Sequence, residues 1–173
     1  MTKGRATVFD LMVALWNFLI LAVAYGFGTG LSPYAPGTLG SLIGVVLFWA
    51  MAPLRPGIYS ATAMAMFAAG IYICGTAARA AGASDPRFIV YDEIVGFLVA
   101  MYLMPRSWQW IVSGFVIYRV FDILKPWPIY VVEEQLSLGN AIMADDVIAG
   151  IYTFVMLQTA RFILRKNRLE ARG

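Results

Sequence analysis

Histidine is absent from this chain, cysteine occurs once, and charged side chains make up only 13% of it. Without histidine there can be no phosphohistidine chemistry, no serine–histidine hydrolysis and no imidazole ligand for a metal. The lone thiol, Cys74, cannot close an intramolecular disulfide, and its place in an apolar helix reads as buried and inert. CGTAAR at 74–79 is similar to a cysteine-phosphatase loop but is one residue too short between Cys74 and Arg79. It also sits in a continuous apolar run, where a thiolate has no anion cradle.

Scarce charge bounds the partners as well. The formal net charge is +3, and the basic residues gather near the ends: Lys3 and Arg5, then Arg165, Lys166, Arg168 and Arg172. That is the distribution of juxtamembrane charge seeking headgroups, not the footprint of a nucleic-acid binder.

What the chain has in plenty is apolar surface. Apolar residues make up 61% of it and the mean hydropathy is +0.74, whereas a soluble domain is roughly half apolar and a quarter charged. Its 173 residues suit one domain, residues 1–173, built for lipid. Apolar stretches run over 9–27, 39–52, 58–81, 88–104, 108–124 and 147–164. All are too long for ordinary strands, so the expected fold is all-α, a membrane bundle of about six helices. A full span takes about 20 residues; only the first, third and last stretches approach that. The second and fourth are expected to be tilted, re-entrant or partly embedded. The first run has no small-residue cleavage site and leads straight into a glycine-rich loop, so it reads as mature protein. Within the long link at 125–144, an interfacial helix would put Trp127 and Tyr130 at headgroup depth.

The acids are not spread evenly. Of ten acidic residues, eight fall between Asp85 and Asp146. If the helices alternate up and down, the loop at 26–41, Asp92 with Glu93, Asp122 with Lys125, and Asp145 with Asp146 all reach one side. Carboxylates gathered there repel one another steeply at low dielectric unless something positive neutralises them. One lysine is insufficient. A hard divalent cation is the economical answer, and an all-oxygen donor set favours Mg²⁺ over zinc or copper. Each residue also has a plainer reading. Asp145 and Asp146 could cap the last helix. Asp92 and Glu93 could be a solvated first turn, Asp122 could pair locally with Lys125, and Asp85 before Pro86 could serve a turn. Glu133 and Glu134 read as a solvated face.

The loop GTGLSPYAPGTLGS at 28–41 offers backbone amides, such as that of Gly37, and the hydroxyls of Thr29, Ser32, Thr38 and Ser41. Amides and hydroxyls at a helix N-terminus suit phosphate. The loop lacks the Gly-Lys-Ser/Thr ending of a P-loop, and glycine and proline also make ordinary turns.

Taken together, GFGTGLSPYAPGTLGS, VYDEIVGF, WQWIVSGFVIYRVFDILKPWPI and GNAIMADDVIAG resemble, in order, the phosphatidylglycerophosphatase A family. They cover most of the chain from Gly26 to Gly150; Ala141 stands where the family is expected to carry glycine. The resemblance implies a Mg²⁺-dependent multi-pass phosphatase of the bacterial cytoplasmic membrane. Its substrate would be phosphatidylglycerophosphate and its product phosphatidylglycerol, in phospholipid biosynthesis. Carried over residue by residue, the acidic motifs are Asp92 and Glu93, Asp122, and Asp145 with Asp146. Lys125, Thr38 and Ser41 then look like phosphate-binding partners, with Thr29 and Gly37 in the same loop.

On this reading Asp92, Asp145 and Asp146, with Glu93 beside them, hold Mg²⁺, and Lys125 and the loop grip phosphate oxygens. Glu93 or Asp122 orients or deprotonates a water, and direct attack by water is favoured over a phosphoaspartate. A small cation transporter with the same acids along an ion path is the alternative, although carboxylates near mid-span would suit it better. A phosphoalcohol transferase is a further rival, but its Asp-Gly…Ala-Arg…Gly…Asp…Asp pattern is missing. Two cues about orientation conflict. The basic termini put their own side in the cytoplasm, whereas a substrate made at the cytoplasmic leaflet would need the acidic face there.

Overall fold

A computed structural model describes residues 7–83 and 86–170, all but the side chains of Glu133, Arg168 and Leu169. The described residues form helices and connecting turns, with no strand among them. In chain order these are α1 (Val8–Ala24), a 3-10 segment (Gly26–Leu31), α2 (Pro36–Met51), α3 (Pro56–Ala81), α4 (Tyr91–Ala100), α5 (Trp108–Leu124), α6 (Ile129–Gln135) and α7 (Leu138–Glu170).

Local chemistry sets most of the boundaries. Thr7 and Asp10 form a capping box at the start of α1, Thr7 N–H donating to Asp10 at 2.9 Å and Asp10 N–H to Thr7 Oγ at 3.2 Å. Pro36 and Pro56 open α2 and α3, where a missing N–H costs nothing. Gly82 closes α3 in the left-handed conformation at φ 65°. Lys125 closes α5 in the same way at φ 41°, and Pro126 follows it.

α4 is the centre of the bundle. At ten residues it is about 15 Å long, half the hydrocarbon thickness. It packs against α7, α2, α3 and α5. Val95, Phe97, Leu98 and Ala100 are fully buried on it, and Tyr118 and Leu157 close around them. Glycine lets α4 and α7 meet backbone to backbone. A Cβ on Gly150 would lie 2.4 Å from the Gly96 carbonyl oxygen, and one on Gly96 2.6 Å from that of Asp146. Such small-residue contacts are how helices approach closely in lipid.

α3 and residues Leu138–Asn167 of α7 are long and apolar enough to cross a membrane; α1 and α2 are shorter apolar helices. Phe9, Trp16 and Phe18 of α1 are 73%, 57% and 67% exposed, an outward apolar surface suited to lipid rather than water.

Several boundaries differ from those read off hydropathy. α2 starts at Pro36, ahead of its apolar run, and α4 starts only at Tyr91, after a non-helical Val90 (φ −137°, ψ 3°) whose N–H donates to the Ala24 carbonyl at 2.9 Å. The largest difference is at α7, which begins at Leu138, where the Ser137 carbonyl accepts from Asn140 and Ala141 N–H at 2.7 and 3.1 Å. Asp145 and Asp146 therefore lie about two turns inside the helix, too far in to cap it. The link at 125–144 does contain a helix, α6, with Tyr130 exposed on it and Trp127 exposed just before it.

Replacing Gly150 with Val should force α4 and α7 apart and cost about 1–3 kcal/mol, read as a lower denaturation midpoint in detergent. Gly57→Ala, where an added Cβ meets nothing within 4 Å, should not lower that midpoint. Equal midpoints for the two variants would refute the close-approach account.

Candidate active site

Four helices bring polar side chains to one place in the bundle. α4 contributes Asp92 and Glu93 from its first turn, α5 contributes Tyr118, Arg119 and Asp122 near its end, α7 contributes Asp145 and Asp146, and α2 contributes Ser41, with the backbone of Gly37 beside it. Lys125 reaches in from the end of α5.

The contacts tie these helices together. Lys125 Nζ lies 2.7 Å from Asp145 Oδ2. Tyr118 donates its hydroxyl to Asp146 Oδ1 in a buried hydrogen bond. Arg119 pairs with Asp122 one turn along α5, stands 3.7 Å from Glu93 Oε1, and donates to Ser41 Oγ at 3.4 Å. The Ser41 hydroxyl in turn donates to the Gly37 carbonyl at 3.0 Å. Asp92 and Asp145 each accept from the following backbone N–H, that of Glu93 at 3.1 Å and that of Asp146 at 2.8 Å.

Gly37 and Gly40 make room for this. A Cβ on Gly37 would lie 2.0 Å from Glu93 Oε1 and 3.1 Å from Arg119 Nη1, and one on Gly40 would lie 2.9 Å from Glu93 Oε2. The two glycines let the Glu93–Arg119 contact sit directly against α2.

Charge remains unbalanced. Five carboxylates, Asp92, Glu93, Asp122, Asp145 and Asp146, face two cations, Arg119 and Lys125. Burial, and then repulsion from Asp146 and Asp122, holds the Glu93 carboxyl well above the usual range, against the pull of Arg119. Asp146 is within electrostatic range of Asp122, Asp92 and Asp145. Two buried side-chain atoms, Glu93 Oε2 and Arg119 Nε, have no hydrogen-bond partner among the described residues. No three acidic or cysteine side chains among the described residues sit close enough together to form a ready-made metal cage.

The residues singled out from the sequence fall into two groups. Asp92, Glu93, Asp122, Lys125, Asp145, Asp146, Gly37 and Ser41 belong to this network. Thr38 is half-buried in the first turn of α2, and Thr29 donates its hydroxyl to the Gly26 carbonyl of its own turn at 2.9 Å. The i, i+3 contact of Asp122 runs back to Arg119, while Lys125 crosses to Asp145. Glu134 is exposed, Asp10 caps α1, and Asp85 lies outside the described residues. Cys74 is buried in α3 and donates to Met143 Sδ at 3.7 Å, and Arg79 turns to Thr76.

Sequence reasoning missed Arg119 and Tyr118. A signal for the first was present: an arginine inside an apolar helix, one turn from an aspartate, marks a functional position in lipid. Nothing local distinguishes Tyr118 from the other aromatics of α5. A cavity of about 480 Å³ between α3 and α7, lined by Ala63, Met64, Phe67 and Ile151 among others, contains no carboxylate and is separate from this centre.

Fold and centre define a class: a helical membrane protein whose polar core is a set of carboxylates braced by an arginine, a lysine and a tyrosine. The phosphatidylglycerophosphatase A family model matches residues 22–161. The phosphatidylglycerophosphatase A of Escherichia coli (strain K12) is 39% identical over 137 residues, 79% of this chain and 77% of that protein. Its Haemophilus influenzae namesake is 41% identical over 137 residues, 78% of this chain and 84% of that protein. A Bacteroides thetaiotaomicron protein, provisionally named phosphatidylinositol-3-phosphatase, is 33% identical over 156 residues, 86% of this chain and 97% of that protein. No solved structure matches. The chain belongs to the phosphatidylglycerophosphatase A family, and it is an enzyme, a phosphatase.

Gly37→Ala should displace Glu93 or Arg119. An ångström of misplacement at a reacting centre costs on the order of a hundredfold, so phosphatase turnover should fall by about that much with helical content by circular dichroism unchanged. Full activity in this variant would show that the contact with α2 is dispensable.

Proposed function

We propose that this protein removes the terminal phosphate of phosphatidylglycerophosphate, releasing phosphatidylglycerol and inorganic phosphate during phospholipid biosynthesis. The reaction is Mg²⁺-dependent and takes place at the bacterial cytoplasmic membrane, which the chain crosses more than once. One observation carries this reading. The stretch matched by the family, 22–161, contains every residue that meets in the polar centre, and that centre is negatively charged, as a cation-assisted phosphatase requires. The cation-transport alternative loses its footing in a family of phosphatases.

The donors suit Mg²⁺. Five carboxylates against two cations leave a negative excess, every donor is an oxygen, and Glu93 Oε2 is a buried acceptor with no partner among the described residues. The lack of a three-carboxylate cage fits too, because Mg²⁺ usually takes one or two carboxylates and fills its shell with water and substrate oxygens. One or two of Asp92, Glu93, Asp145 and Asp146 would hold it. Bound there, it supplies neutralisation of the phosphoryl charge that builds as the ester breaks.

The chain's own residues set up the rest. Tyr118 fixes Asp146 by donating to Oδ1, and Lys125 fixes Asp145, so both carboxylates are oriented before substrate arrives. Arg119 engages Asp122 and one oxygen of Glu93; the other, Glu93 Oε2, has no partner among the described residues, which makes Glu93 the group that orients a water and takes its proton. Ser41 and the first turn of α2 border the place where phosphate oxygens would lie.

A second reading comes from the relative named for phosphatidylinositol 3-phosphate, which matches nearly its whole length. The headgroup is what separates the two. The purified protein in detergent should release phosphate from phosphatidylglycerophosphate at least about tenfold faster than from phosphatidylinositol 3-phosphate. EDTA should abolish release, Mg²⁺ should restore it, and Asp146→Asn should lose about a thousandfold while still folding. Faster release from the inositol lipid would move the substrate assignment; full activity in EDTA would remove the metal.

A further inference from the structure

We propose that Arg119 is the residue that receives the substrate's phosphate, and that Glu93 and Asp122 hold its guanidinium in place until the phosphate arrives. This inference rests on the phosphatase reading above and names the group that recognises its substrate.

Three observations point to Arg119. Its guanidinium sits where α2, α4 and α5 converge, with Glu93, Asp122 and Ser41 all reached through Nη1. Its Nε–H is buried and has no acceptor among the described residues. On the neighbouring side chain, Glu93 Oε2 is a buried acceptor with no donor among them. An unmet donor and an unmet acceptor on two touching side chains call for a ligand that carries both functions. A phosphate monoester with its attacking water supplies them: a phosphoryl oxygen accepts from Nε–H while the water donates to Oε2.

The guanidinium is also the better instrument for the task. Its planar fork presents parallel N–H groups that match phosphate oxygens, which a lysine ammonium cannot do. Each of the two carboxylates that hold Arg119 carries at most one negative charge; a phosphate monoester near neutral pH approaches a dianion and competes well for the same donors. Gly37 and Gly40 let this contact sit directly against α2, where any side chain would collide with it. Lys125, the cation expected from the sequence to bind phosphate, is instead drawn to Asp145 at 2.7 Å.

The test measures affinity for inorganic phosphate by calorimetry on the full-length protein in detergent with Mg²⁺, beside KM and kcat on the lipid. Arg119→Lys keeps the charge and loses the fork, so phosphate affinity should fall about tenfold or more and KM should rise with it. Asp122→Asn removes a competitor for the guanidinium and should tighten phosphate binding whatever it does to kcat. Asp145→Asn serves as the comparison, since it removes an equal charge beside Lys125, and both variants are also titrated in EDTA because Asp145 is among the carboxylates that would hold Mg²⁺. A larger gain from Asp122→Asn supports Arg119, and the comparison needs only these two variants if Arg119→Lys does not fold. Equal gains, or a larger gain from Asp145→Asn, overturn the proposal, as does unchanged phosphate affinity in folded Arg119→Lys. Failure of the wild type to hydrolyse any lipid phosphate would count against the phosphatase reading instead, because phosphate binding is measured without turnover.

Discussion

Burying carboxylates inside an apolar bundle is the constraint that shapes this molecule. An isolated ionised acid in a low-dielectric interior is costly, and several together are worse. Asp92, Asp145 and Asp146 are nonetheless each buried. What makes the arrangement possible is cross-helix pairing: Arg119 between Glu93 and Asp122, Lys125 on Asp145, Tyr118 on Asp146. α5 thus acts as a brace, supplying all three counter-groups to acids carried by its neighbours and by its own last turn.

The fold is arranged around that brace. α4 is short because it need only deliver Asp92 and Glu93 to the centre and fill the bundle below them with Val95, Phe97 and Leu98. α7 is long because it does two things at once, carrying Asp145 and Asp146 about two turns in and then continuing as an apolar span. Glycines at the α4–α7 and α2–α4 contacts bring the backbones close enough for short acidic side chains to meet. Lengthening any of these contacts would separate the carboxylates and dissolve the site.

Among the described residues the pairing leaves a negative excess and two unmet buried side-chain atoms, Glu93 Oε2 and Arg119 Nε. In a protein whose other buried polar groups are satisfied by such specific contacts, atoms like these mark where a ligand belongs. The site holds its acids in place with fewer cations than carboxylates.

Composition and motif order decided a good deal. Little charge and long apolar runs pointed to a helical membrane protein, and the acidic motifs and glycine-rich loop, taken in order, carried the resemblance that implied phosphate chemistry. Hydropathy and residue type are local properties, so they can be read one residue at a time. The pairings are not local. That Asp122 turns back to Arg119 while Lys125 crosses to Asp145, that Tyr118 meets Asp146, and that Gly37 makes room for Glu93 all depend on how α2, α4, α5 and α7 pack. The start of α7 at Leu138 escaped notice for a related reason: Gly139, Asn140 and the acids at 145 and 146 interrupt the continuous apolar run that hydropathy follows, although Leu138, Ala141 and Ile142 share a face that packs into the core. Residue types named the chemistry; only the packing of four helices chose which side chain answers which.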